Sequence, residues 1–395
     1  MAAEDMVQLQ RASDRFAAAL TCAKKRLADP VAMWVAALVC VSLASSMLVA
    51  PTESSAAPFG VRPFPPGSVV VSQGGTIFGT GGSGPGTTVK ANGEVAVYPP
   101  DSNGDVAPEA SFTKGMYGPV AMAFDPSGDL WVSNANTNNL VELTRAQLAK
   151  PDPVPAVTIS AASGALDNPY GMAFDRSSNL WVVGNKVKRV YEYTKSQLAR
   201  SGSPPPRTTI SAFPSGPLGD GFDPYGDLWV TTITTTGKGS SCPAGCVVEF
   251  SKADLAMANP TPTVTISSTG GANIAFTRSG DLWMVTGGGP LNDCFGSPCT
   301  NELVEFAKAQ LSTSGSPTPA VTISATKHGA AGSLWGPYGV AIDPSGDVWV
   351  ANFNKPTTVE YSRDQLSKSG SPTPARAIVG ANTGMNWPSF VLIKP

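Results

Sequence analysis

The sequence predicts an all-β fold: a six-bladed β-propeller of four-stranded blades, preceded by an N-terminal apolar helix. One observation is a nine-residue motif, FDPSGDLWV at 124–132, which recurs four more times in variant form. The tryptophans of these copies are spaced by about 50 residues, which is typical of a propeller blade. A further observation is composition, because 41 Gly, 36 Pro and only 14% charged residues indicate short elements joined by turns.

The first complete copy reads as four short strands. Residues 120–125 alternate small and large side chains, which is the period of a strand. The turn that follows contains Asp125, whose side chain can accept from the backbone ahead of it. The second strand covers 129–134, the third begins at Leu140 and the fourth at Ala156.

Between the third and fourth strands, Thr144 and Gln147 have the spacing of a capping box, so we expect a single helical turn there. Later copies keep this pattern, except that Ala307 cannot cap. We interpret the repeated tryptophan as packing, because a single blade must bury its faces against its neighbours. A small residue on the innermost strand, such as Ala123, leaves room near the crowded axis.

Five copies are explicit, and residues 68–112 read as a degenerate sixth blade. The C-terminal segment NWPSFVLIKP resembles a lone innermost strand that would complete this blade and close the ring. Both 68–72 and 389–393 look like innermost strands of one blade, so one of them has another role. We favour six blades over the alternative of seven.

The N-terminus differs from the rest of the chain. Residues 1–30 form a leader, 31–50 an uncharged stretch long enough to cross a bilayer, 51–66 a linker and 67–395 the propeller. Basic residues just before the stretch favour a cytoplasmic N-terminus. We therefore expect an extracytoplasmic protein, secreted after cleavage of a signal peptide or kept as a membrane anchor; a buried core helix is the alternative.

Six cysteines fit export. Cys242 with Cys246 and Cys294 with Cys299 form two close pairs, which suit local disulfides in an oxidising compartment. A shared metal site or free thiols are the alternatives. The formal net charge of −2 gives no electrostatic reason to expect nucleic acid as a partner. We expect a monomer whose partner is a small molecule, a glycan or a protein.

The segments GPYGVAIDPSGDVWVAN and NPYGMAFDRSSNLWVVGN resemble NHL-type repeats, and over about 67–395 the chain is similar to the six-bladed propellers of the streptogramin B lyase and gluconolactonase groups. The resemblance implies a fold, because the matching residues are packing and turn residues. The lactonases of this group hold a divalent metal with carboxylates and Asn at the channel entrance, so the resemblance would imply such a site here. No residue here matches their characteristic early Glu.

The lyase mechanism that the resemblance would imply needs a catalytic His beside a metal-binding Glu near the axis. The single histidine, His328, lies in an inserted loop and not after a tryptophan strand. General base catalysis is therefore weakly supported. A surface position is the alternative for this residue.

Asp220 breaks the innermost-strand pattern, because the other copies have Met122, Met172, Ile274 or Val340 at its position. A carboxylate there needs a cation, a metal such as Ca²⁺ or Mg²⁺, or water, since an unpaired buried charge is costly. A local loop bond or a solvated channel position is the alternative. Further candidates at the same channel entrance are Asn134, Asn185, Asn352, Asn273, Tyr170, Tyr338, Trp335 and Trp387.

Three of these asparagines follow the tryptophan strand and either form a partial oxygen cage with Asp220 or cap the strand ends. Two function classes follow. We favour a ligand- or partner-binding module, and the alternative is a metal-dependent lactonase or lyase. Whether the protein is an enzyme is left open by the sequence, with binding preferred.

Overall fold

The computed structural model describes residues 64–74, 92–160, 166–211, 213, 216–233, 245–267, 271–286, 301–325 and 333–395. These belong to one compact unit, Val61–Pro395. The predicted apolar helix at 31–50 lies outside the described residues. No helix among those described is long and apolar enough to cross a bilayer.

The described strands form six four-stranded antiparallel sheets, which we call blades one to six. Blade one comprises β1 (Val69–Gln73), β2 (Glu94–Tyr98), β3 (Ala110–Phe112) and the C-terminal β24 (Pro388–Ile393). Blade two comprises β4 (Pro119–Phe124), β5 (Leu130–Asn134), β6 (Asn139–Leu143) and β7 (Val157–Ser160). Blade three comprises β8 (Pro169–Phe174), β9 (Leu180–Gly184), β10 (Arg189–Tyr193) and β11 (Thr208–Ile210).

Blade four comprises β12 (Gly216–Phe222), β13 (Leu228–Ile233), β14 (Cys246–Phe250) and β15 (Val264–Ser267). Blade five comprises β16 (Gly271–Phe276), β17 (Leu282–Thr286), β18 (Glu302–Phe306) and β19 (Val321–Ser324). Blade six comprises β20 (Pro337–Ile342), β21 (Val348–Asn352), β22 (Thr357–Tyr361) and β23 (Arg376–Ile378). The innermost strands contact one another in the order β24, β4, β8, β12, β16, β20 and back to β24. The predicted six-bladed, four-stranded propeller is confirmed.

Ring closure combines the two chain segments that looked alike. β24 is the innermost strand of blade one, and β1 pairs with it as the second strand, with Val71 opposite Val391. The segment at 68–72 therefore forms the second strand of its blade, the position that the tryptophan-containing strands occupy in the other blades. It is as buried as an innermost strand, which explains why the two looked equivalent in sequence.

The repeated tryptophans fill the wedges between blades, as predicted. All five are at most 4% exposed. At three junctions the indole meets the phenylalanine that ends the innermost strand of the next blade, with ring centroids 5.9–6.4 Å apart. These pairs are Trp131–Phe174, Trp181–Phe222 and Trp229–Phe276. Such contacts bury large apolar areas and fix the spacing of the sheets.

The innermost strands approach so closely that small residues are required between them. A Cβ added to Gly339 would lie 2.7 Å from the Cα of Phe390 in blade one, and one added to Gly219 would lie 2.5 Å from the carbonyl oxygen of Ala272 in blade five. Hydroxyl groups also bridge neighbouring blades here. Thr231, for example, accepts from the Gly219 N–H at 2.8 Å and donates to the Ala272 carbonyl at 3.1 Å.

The predicted capping turn is present in several blades. In blade three, Thr194 and Gln197 form a capping box at the start of the short helix α1 (Lys195–Leu198). In blade two, the Thr144 N–H donates to the Gln147 side chain at 2.9 Å. Short 3₁₀ turns occupy the corresponding positions later: Asp254–Ala256, Lys308–Leu311 and Gln365–Ser367.

Ring closure by β24 yields a stability prediction. Val391→Asp should lower the free energy of unfolding by at least about 3 kcal/mol, because it buries a carboxylate in apolar packing. Val340→Asp is the matched control, since Val340 occupies the same position in blade six and is also buried. Chemical denaturation of both variants should give similar losses. A near-neutral Val391→Asp would mean that the terminal strand is dispensable.

Candidate functional site

The candidate site lies at the end of the central channel where the innermost strands begin. The innermost strand of each of blades two to six ends with a Phe or an Ile. The residue four positions before that end belongs, in all five blades, to one apolar cluster. We call these side chains the axial ring: Val120, Tyr170, Leu218, Ala272 and Tyr338. All are buried, so this end of the channel is lined by uncharged side chains.

Two tyrosines of the axial ring meet across the channel. Tyr170 belongs to blade three and Tyr338 to blade six, which lie opposite each other in a ring of six. Their ring centroids are 6.5 Å apart, so together they close the channel at this level. Burial raises the pKa of Tyr170 to about 12 and that of Tyr338 well above its ordinary value, so both stay neutral.

The aromatic contact continues from the axis to the surface. The ring of Phe353 lies 5.6 Å from that of Tyr338, and Trp387 packs edge-on against Phe353 at 5.2 Å. Trp387 is half-buried and has a φ of 55°, a left-handed conformation that is strained for a bulky residue. Such strain is found preferentially at functional sites. We call these four residues the aromatic mouth: Tyr170, Tyr338, Phe353 and Trp387.

The three asparagines that follow tryptophan strands hold backbone in place. The Oδ1 of Asn134 accepts from the Tyr117 N–H at 3.0 Å, and the Oδ1 of Asn352 accepts from the Trp335 N–H at 3.1 Å. Both also donate from the amide nitrogen to a backbone carbonyl. Asn185 donates to a carbonyl of blade four at 2.9 Å. These asparagines therefore tie the ends of second strands to the backbone that precedes or begins an innermost strand.

Asp220 is 4% exposed, and neither of its carboxyl oxygens has a hydrogen-bond partner among the described residues. Its side chain faces blade three, where a Cβ added to Gly171 would lie 2.6 Å from its Oδ1. Burial raises its pKa well above the ordinary value. It is held between two sheets and is not aimed at the asparagine amides.

Asn273 lies on the neighbouring innermost strand, β16, and is also buried, with an Oδ1 that has no partner in the described part of the chain. The backbone of Gly219, the residue before Asp220, lies close to it, since a Cβ on Gly219 would lie 3.0 Å from the Asn273 Cα. Trp335 is half-buried and precedes β20 by two residues. The structure thus joins Tyr170, Tyr338 and Trp387 through ring contacts with one another or with Phe353, and it places Asp220 and Asn273 on two different innermost strands.

Some predicted residues lie outside the described part of the chain: His328, Cys242, Cys294 and Cys299. Cys246 begins β14, where it is buried and its sulfur lies 3.1 Å from the hydroxyl oxygen of Thr232. The cysteine pairings and the role of His328 therefore stay predictions.

The opposite end of the ring carries carboxylate groups that the sequence interpretation missed. In three blades, two aspartates of the turn after the innermost strand and a glutamate of the third strand have ligand atoms within 4.8 Å of one another. The signal was present, because the turn motif and a Glu in the third strand both repeat. The three triads are Asp125, Asp129 and Glu142; Asp223, Asp227 and Glu249; and Asp343, Asp347 and Glu360.

These triads differ in whether their glutamate is paired with a basic side chain. Glu360 forms an ion pair with Arg376 of the outer strand. Glu142 and Glu249 have no ion pair of this kind within the described ranges. Burial, with the nearby aspartates adding to it, raises the pKa of each to about 7. The triads are candidate positions for a divalent metal, with oxygen ligands of the type that Ca²⁺ and Mg²⁺ prefer.

Neither a family model nor a curated relative matches this sequence. Solved structures match it in fold. A protein of unknown function from Bacteroides caccae is 12% identical with a TM-score of 0.53, covering 84% of this chain and 100% of that one. A chain of the nidogen/laminin complex is 10% identical with a TM-score of 0.51, covering 83% and 99%.

Virginiamycin B lyase from Staphylococcus aureus is 12% identical with a TM-score of 0.42, over 76% of this chain and 87% of that one. At these identities the likeness extends to the fold alone.

The Glu142 pKa leads to a testable pH dependence. Its folded-state pKa of about 7 exceeds its ordinary value of 4.5, so the folded state binds more protons between these limits and its stability falls as pH rises through them. Glu142→Gln should therefore raise the melting temperature at pH 8 and leave it almost unchanged at pH 4.5. Glu360→Gln, which breaks an ion pair, should lower it at pH 8. A destabilised Glu142→Gln at pH 8 would contradict this account.

The orphaned carboxyl of Asp220 gives another prediction. Asp220→Val restores the apolar residue type of the other blades and should raise the free energy of unfolding by about 1–3 kcal/mol. Asp220→Asn is a nearly isosteric neutral control. Because burial raises the pKa of Asp220, the wild-type protein should lose stability as rising pH ionises the carboxyl, and the advantage of Asp220→Asn over it should grow with pH. Thermal unfolding measured across pH tests both variants. Loss of stability in Asp220→Val would indicate that the carboxyl has a partner in the folded protein.

Proposed function

We propose that this chain is an extracytoplasmic binding module that recognises its ligand at the aromatic mouth. The observation that carries the proposal is the closure of the channel by Tyr170 and Tyr338, whose rings lie 6.5 Å apart. A channel closed by neutral rings offers stacking and apolar contact. It offers few groups for acid–base or metal chemistry.

A ring-bearing neutral glycan is the ligand class that fits these contacts best. The half-buried Trp387 forms the outer end of the mouth. Two more aromatic residues, the half-buried Trp335 and Tyr117, which is 42% exposed, precede the innermost strands β20 and β4 on the same side of the ring. Aromatic side chains of this kind present an apolar face and a polar edge. Sugar rings present the complementary surface, with C–H groups on their faces and hydroxyls at their edges.

The rigid surroundings support a binding role. Asn134 and Asn352 anchor the segments that contain Tyr117 and Trp335 through hydrogen bonds of 3.0 and 3.1 Å. Aromatic contacts fixed before binding lose little conformational entropy when a ligand arrives. The predicted disulfides Cys242–Cys246 and Cys294–Cys299 would further restrain segments that connect second and third strands on the same side of the ring.

The alternative function is a metal-dependent lactonase or lyase, and the buried, unpartnered Asp220 is the observation in its favour. A Ca²⁺ or Mg²⁺ bound by this carboxylate would raise thermal stability, and the rise would grow with the logarithm of the ion concentration above its Kd. Asp220→Asn would abolish that rise. Comparing the melting temperature of both proteins with and without each ion separates this alternative from the binding module.

The proposed location rests on the uncharged stretch at 31–50 and the basic residues before it. Secretion and membrane anchoring give the same side of the membrane for the propeller. Protease accessibility of the propeller in intact cells, compared with lysed cells, tests this directly. Protection in intact cells would contradict an extracytoplasmic location.

Glycan binding at the mouth is tested by screening the full chain against a panel of neutral oligosaccharides and then comparing variants on any ligand found. Trp387→Ala and Tyr117→Ala should each weaken binding by about tenfold, as expected for loss of an aromatic contact. Tyr225→Ala is the matched control, because Tyr225 is 48% exposed on the opposite side of the ring. Equal effects of all three variants, or no neutral glycan bound, would contradict the proposal.

A further inference from the structure

A groove of about 390 Å³ lies at the outer edge of blade three, against residues 257–259 of blade four. It is separate from the aromatic mouth, because it lies beside the outermost strand β11. Its polar lining consists of two guanidinium groups, three hydroxyls and one carboxamide: Arg189, Arg207, Thr208, Thr209, Ser211 and Asn259. None of the described residues that line it carries a carboxylate.

The arginine pair is specific to this blade. The backbone N–H of Arg207 donates to the carbonyl of Glu192 on the third strand. The same bond to a third-strand glutamate occurs in each of blades two to six, so it identifies the equivalent residues. The residues equivalent to Arg207 in the other four are Ala156, Thr263, Ala320 and Ala375. The residues equivalent to Arg189, which begins β10, are Asn139, Cys246, Glu302 and Thr357. The propeller fold therefore does not require an arginine at either position.

The two guanidiniums have donors to spare. Arg189 is exposed and makes no hydrogen bond or ion pair through its side chain with the described residues. Arg207 contacts Glu192 through one nitrogen at 3.1 Å, and its side chain is 61% exposed. A guanidinium has five N–H donors in a planar fork, so most of those in the groove are available. Forked donors of this kind match the oxygens of phosphate and sulfate groups.

We propose that this groove binds an oxyanion, the phosphate or sulfate group of a small ester, between Arg189 and Arg207. The hydroxyls of Thr209 and Ser211 and the amide of Asn259 supply neutral donors beside it. The groove volume lies within the range of small-molecule sites. A protein with a net charge of −2 thus keeps a locally positive groove for a ligand distinct from that of the aromatic mouth.

The test is calorimetric titration of the full chain with inorganic phosphate, inorganic sulfate and the 6-phosphate and 6-sulfate of glucose, at constant ionic strength set with chloride. We expect saturable binding of at least one. Tighter binding of an ester than of the free ion would identify the ligand as a sugar phosphate or sugar sulfate. The reverse assigns it to the free anion, and either result supports an oxyanion site.

Arg189→Gln is the decisive variant, because the Arg189 side chain makes no hydrogen bond or ion pair with the described residues, and it should weaken binding by about tenfold. Arg189→Lys, which keeps the charge and loses the fork, should weaken it less. Arg200→Gln, an exposed arginine of the same blade outside the groove, is the matched control and should bind normally. Failure of all four ligands to bind, an unaffected Arg189→Gln, or an equal loss in Arg200→Gln would overturn the proposal.

Discussion

The packing of one blade's indole against the end of the next blade's innermost strand is the interaction on which this molecule depends. A four-stranded sheet cannot cover its own faces, so each blade is stable only between two neighbours. Trp131, Trp181 and Trp229 meet a phenylalanine of the following blade at nearly constant distance. Because the ring must also close, β24 returns to pair with β1 and shares the same constraint.

This constraint explains which features could be predicted from sequence. Residues that repeat because they pack, such as Trp131 and its equivalents, determine the blade period, the strand order and the closure. The distinct roles of 68–72 and 389–393 could not be separated, because both strands are buried and have the same residue character. Burial alone does not say which of two strands lies nearer the axis.

The candidate site was harder to predict, because side-chain direction depends on neighbouring blades. Tyr170 and Tyr338 are distant in sequence and meet since blades three and six are opposite. Asp220 stands out in the sequence by its departure from the repeat, but its orientation toward Gly171 follows from a strand approach that only the packed ring defines. The acidic triads were missed because their aspartates had an adequate explanation as turn residues.

Closure of the channel by the tyrosine pair limits what the propeller can do. A ligand cannot reach the axis beyond Tyr170 and Tyr338 without displacing buried rings, so the proposed binding sites lie at the surface of the mouth and at a blade edge. Side chains that are at least partly exposed are found in these places, at the half-buried Trp387 and at Arg189. A ring held together by repeated indole contacts can therefore vary its surface chemistry in separate places without altering its fold, which favours a rigid platform for recognition over a channel that carries out chemistry at its centre.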